Sequence, residues 1–97
     1  MKGRRIPFTG AFPVLENPGD YCGPIMGWTG DKPAVFFLKP NARDADAPKR
    51  ARSVQYVVSP PHIFKEEPDG TLTITASIGD ISDGWHGFLT FGEWRKC

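Results

Sequence analysis

An all-β fold, a mostly antiparallel small sheet or partly open barrel with little helix, is predicted by three features of this chain. Eleven glycines and ten prolines among 97 residues interrupt helices repeatedly. Four short runs, AVFFL, SVQYVVS, TLTITAS and WHGFLTF, are rich in β-branched and aromatic residues, and most of them alternate with period two. Between two extended runs stands Pro68-Asp69-Gly70, in which Pro presets φ, Asp bonds its own backbone and Gly accepts a positive φ.

Residues 1–30 carry Pro7, Pro13, Pro18 and Pro24 among six glycines, so no helix of normal length fits. Phe8, Phe12, Val14, Leu15, Ile25, Met26 and Trp28 are numerous enough to pack, which predicts extended segments laid over a sheet. Residues 1–5, with Lys2, Arg4 and Arg5, are expected to be flexible. AVFFL (34–38), flanked by Pro33 and Pro40, predicts a buried central strand. The polar stretch 41–52 (NARDADAPKRAR) reads as a solvated loop; a basic grip on an acidic partner would call for interleaved aromatics. SVQYVVS (53–59) predicts a strand with Val54, Tyr56 and Val58 on one face, ended by Pro60-Pro61. HIFKEE (62–67) and TLTITAS (71–77) form the hairpin around Pro68-Asp69-Gly70. WHGFLTF (85–91) and 93–96 supply the last strands.

At this length one domain, 1–97, with one modest core is expected. A net charge of +1 offers no field to draw the chain onto nucleic acid or an anionic membrane, and no apolar run approaches a bilayer span. Cytoplasmic location is the expectation. Cys22 and Cys97 with His62 and His86 reach a four-ligand count but lack the close pair spacings of a zinc site, so neither metal nor cofactor is expected. The two thiols are expected reduced, a disulfide between them requiring an oxidising compartment.

The chemistry-bearing stretch is TLTITASIGDISDGWH (71–86). Strand parity sets Leu72, Ile74 and Ala76 on one face and Thr71, Thr73, Thr75 and Ser77 on the other, so Ser77 ends a polar face. A loop over 78–85 then returns to His86. If the two strands are neighbours, the imidazole reaches the serine hydroxyl and supplies the base that a serine nucleophile needs. Backbone N–H groups at Ile78 and Gly79 are candidate oxyanion donors, and Asp80 or Asp83 is the candidate orienting acid. The plainer reading makes Ser77 a turn residue and His86 a packing residue, since no G-x-S-x-G elbow is present. His62 is a rival histidine that the hairpin brings toward Ser77, and Cys22 is a rival nucleophile with nothing beside it to lower its pKa.

Residues 71–93, with ASIG followed by WHGFLTFGEW, resemble a family of small β-rich phage and bacterial proteins catalogued as a domain of unknown function. Its operon-encoded branch is identified with the BubE-like serine peptidases of bacterial ubiquitination-like operons. Ser77-Ile78 and His86 match the family's Ser-Ile pair and its following histidine. The resemblance implies a small serine hydrolase, a peptidase acting through a Ser-His dyad on an extended peptide, a ubiquitin-like C-terminal tail or an isopeptide linkage. Many relatives carry a cysteine-rich segment ahead of the hairpin; only Cys22 stands here, which argues against a metal-binding role. The alternative is a phage-encoded binding protein without chemistry that inhibits a host defence factor, with Trp28, Trp85 or Trp94 as anchors if they are not core. An accessory protein oligomeric through a sheet edge is a third reading.

Overall fold

The structure, a computed structural model, describes every residue except Phe12, Thr29, 41–53, 81–84 and Cys97, and of Asp80 only the main chain. The polar stretch 41–52 therefore lies outside the described residues. Seven strands occur: β1 (Tyr21–Ile25), β2 (Ala34–Leu38), β3 (Val54–Val58), β4 (Ile63–Glu66), β5 (Leu72–Asp80), β6 (Trp85–Thr90) and β7 (Glu93–Lys96). They form two antiparallel sheets, β1-β2-β3 and β4-β5-β6-β7, with no closed barrel and no helix among the described residues.

β2 is buried along its whole length because both of its faces are covered. Val35 and Phe37 point toward the second sheet and pack with Tyr21, Leu72, Ile74, Ile78, Leu89 and the indoles of Trp85 and Trp94. Ala34, Phe36 and Leu38 point the other way, against Leu15, Cys22, Ile25 and the partly buried Ile6. Each fully buried apolar side chain of this size contributes roughly 1.5–3 kcal/mol relative to exposure. The aromatic contacts Phe37–Trp94 at 5.4 Å and Trp85–Trp94 at 6.0 Å lock the second sheet onto β2. Trp85 and Trp94 are thus core, which removes both as interface anchors; Trp28 stays exposed.

Within residues 1–30 one segment is a strand and another is bonded to both sheets. The segment YCGPI is a true strand despite its Gly-Pro pair, with a register irregularity between Cys22 and Ile25. Gly23 there approaches β2 so closely that a Cβ would stand 2.7 Å from the Ala34 carbonyl oxygen. Residues 1–5 are hydrogen-bonded to both sheets. Trp94 N donates to Met1 O, Gly3 N to Gly92 O, Tyr21 N to Arg4 O and Ile6 N to Tyr21 O. The Arg5 guanidinium adds bonds to Gly23 O, Gly70 O and both Glu66 carboxylate oxygens. Main-chain pairing needs no side-chain pattern, so alternation could not reveal it.

The turn chemistry follows the residues. Gly70 N donates to Glu67 O, Thr71 N donates to Asp69 Oδ1, and Gly70 takes a φ of 85°. The β6–β7 connection is the two-residue turn Phe91-Gly92 with both φ positive, the primed geometry that matches strand twist.

Candidate active site on the outer face of the second sheet

Along β6 the residues alternate cleanly, Trp85, Gly87 and Leu89 inward, His86, Phe88 and Thr90 outward. β5 keeps Leu72, Ile74 and Ile78 in the core. Its register against β6 jumps from Ile74↔Leu89 to Ile78↔Gly87, so Thr75, Ala76 and Ser77 together oppose the single residue Phe88. This is a bulge with two extra residues, centred on Ala76 at φ 76°. Ala76, which parity assigned to the inner face, is exposed because the left-handed turn of the chain carries it outward. Two extra residues preserve parity beyond the bulge, so Ser77 and Gly79 share the outer face with His86.

The hydroxyl and the imidazole meet there, with Ser77 Oγ 3.0 Å from His86 Nε2. His86 is the cross-strand partner of Gly79, and its ring lies directly over that residue: a Cβ at 79 would stand 3.1 Å from Cδ2 and 3.2 Å from Nε2. Glycine opposite histidine gives the ring a path across the strand to the serine two residues back. The sequence shows that glycine, but its use as a cradle depends on register.

His62 reaches the same residue from the other side, its Nε2 lying 3.2 Å from the Ser77 carbonyl oxygen rather than from the hydroxyl. Strand carbonyls alternate in direction. Gly92 N bonds Leu72 O on the β6 side, and the Ser77 carbonyl points to the β4 side. By the same alternation the Gly79 N–H points to the β4 flank, beyond the end of β4, and the Ile78 N–H points toward β6. Residues 78–80, expected in the loop, belong to β5. Asp80 pairs with Trp85 through its main chain, and Asp83 lies outside the described residues.

Cys22 is a buried free thiol whose pKa is pushed up by burial, so it is held as an unreactive thiol rather than a thiolate. Among the described residues no group of three or more His, Cys, Asp or Glu is placed to hold a metal ion. Among them, too, no helix is long and apolar enough to cross a membrane. A cleft of about 280 Å³ lined by Met1, Pro40, Trp85, Trp94 and Lys96 does not include the dyad. Beside the dyad, on the same face, stand the exposed apolar side chains of Ile63 and Phe88.

No protein family, no curated protein and no solved structure matches this chain.

Proposed function

We propose that the protein is a small serine hydrolase acting through Ser77 and His86. The observation that carries this is the 3.0 Å contact between Ser77 Oγ and His86 Nε2 on an open face of the second sheet. At that distance the hydroxyl can hand its proton to Nε2 as Oγ bonds a substrate carbonyl carbon. His86 then gives the proton to the leaving amine as the C–N bond breaks, and water releases the acyl group by the same exchange in reverse. The Gly79 N–H, on the flank where among the described residues no β4 residue pairs with it, is one candidate oxyanion donor, with the Ile78 N–H as the other. Ile63 and Phe88 offer apolar contact for an extended peptide crossing the face. On the resemblance of residues 71–93 the proposed substrate is a ubiquitin-like C-terminal tail or isopeptide linkage, and the proposed location is the cytoplasm.

A fluorophosphonate probe tests the reading. Labelling of the parent and none of Ser77→Ala is the expected result, and an unlabelled parent would overturn it. The same exposed Ile63 and Phe88 favour a second reading, a non-enzymatic binding face for a host factor. Failure to label together with a tight complex that Phe88→Ala weakens would support that instead.

A further inference from the structure

We infer that His62 is a positioning residue that sets the backbone of Ser77 and thereby the aim of its hydroxyl at His86. The kinetic part of this rests on the proposed function; the structural part does not. The β4–β5 ladder runs from Glu66↔Leu72 to Ile63↔Thr75 and stops. Past Thr75 the strand has no β4 residue beside it, so the Ser77 carbonyl on that flank has lost its ladder donor. The His62 Nε2 stands in its place at 3.2 Å.

A carbonyl only accepts, so Nε2 carries the proton. The other ring nitrogen, Nδ1, is buried and has no hydrogen-bond partner among the described residues. A buried orphan nitrogen is costly, and an apolar side chain would avoid that cost. What the imidazole adds is the donor to Ser77. The ring is also well held, because the His62 main-chain N–H donates to Val58 O across Ser59-Pro60-Pro61. The first sheet therefore grips His62, and His62 grips the bulge.

That grip falls where the chain is least regular. Ala76, at φ 76°, directly precedes Ser77, and three residues of β5 face one of β6. With few ladder bonds to define it, the direction of the Ser77 Cα–Cβ bond depends on where its carbonyl is tied. Releasing the carbonyl lets the bulge relax and the hydroxyl leave Nε2.

The test pairs His62→Gln, whose amide can donate to the same carbonyl, with His62→Leu, which fills the space without a donor. Labelling of Ser77 by fluorophosphonate is expected to slow by roughly ten-fold or more in His62→Leu and to recover largely in His62→Gln. Equal rates in folded Leu and parent proteins, or no advantage of Gln over Leu, would overturn the inference. Long-range ¹⁵N–¹H spectra provide a readout independent of activity. The parent should carry the His62 proton on Nε2, and the His86 ring signals in His62→Leu should move toward those of Ser77→Ala. A parent His62 protonated on Nδ1 alone overturns the positioning role even if no variant folds well or the parent never labels, and unmoved His86 signals in folded His62→Leu overturn it too. An unlabelled parent with the expected spectra overturns only the proposed hydrolase.

Discussion

The imidazole of His86 rests on the backbone of Gly79, its Nε2 edge turned toward Ser77, with 3.1–3.2 Å between the ring and the place a Cβ would occupy. Antiparallel partners on one face are close neighbours, so a side chain at 79 and the ring at 86 compete for the same space. The hydrogen bond to Ser77 therefore depends on the absence of a side chain at residue 79.

Gly79→Ala is expected to push the ring off by a few tenths of an ångström. Because misplacement of a catalytic group costs rate steeply, labelling of Ser77 should fall by roughly ten-fold. Stability should change by less than about 1 kcal/mol, since the site is exposed and the new methyl replaces glycine in a strand. Parallel labelling and thermal melts check both halves.

Ala76 gives the opposite experiment. An alanine in the left-handed region costs on the order of 1–2 kcal/mol, and glycine there costs little. Glycine also frees the unfolded chain, which returns about 0.4–1 kcal/mol. Ala76→Gly is thus expected to stabilise the fold by about 0.5–1 kcal/mol in denaturant titration, with the Ser77–His86 contact retained.

Arg5 joins the N-terminal segment to both sheets through Gly23, Gly70 and Glu66. Removing this charged donor with Arg5→Ala should cost about 2 kcal/mol, measured by denaturant unfolding. The hydrogen bonds from Arg5 also hold the Glu66 carboxyl below its ordinary pKa, and the Thr71 hydroxyl does the same for Asp69. A carboxyl lowered in the folded state contributes stability that is complete above its unfolded pKa and is lost as pH falls through its folded value. Melting temperature should therefore hold at neutral pH and decline below roughly pH 4–5. Glu66→Gln should flatten part of that decline while lowering the neutral plateau.

How much of this was legible follows from which forces write themselves into side chains. The strands β3, β5 and β6 could be read because burial on one face of a pleated sheet imposes period two, β2 because burial on both faces leaves a short unbroken apolar run, and the turn at Pro68-Asp69-Gly70 because particular turns demand particular residues. β1 could not, because Gly23 and Pro24 read as breakers until the close approach to β2 explains the glycine. Nor could the pinned N-terminus, whose bonds are mostly main chain to main chain.

The sequence by itself determined an all-β chain, with Ser77 on the polar face of one strand and His86 opposite Trp85 and Leu89 on the next, because alternation fixes which side chains of a single strand share a face. Only the tertiary structure decided how they meet. Register placed His86 over Gly79, a two-residue bulge at Ala76 brought Ser77 back under the ring, and the packing of one sheet on the other delivered His62 to the serine's carbonyl. Those contacts depend on strand pairing and on where a ladder ends, and both are set by the whole core rather than by any local run of residues.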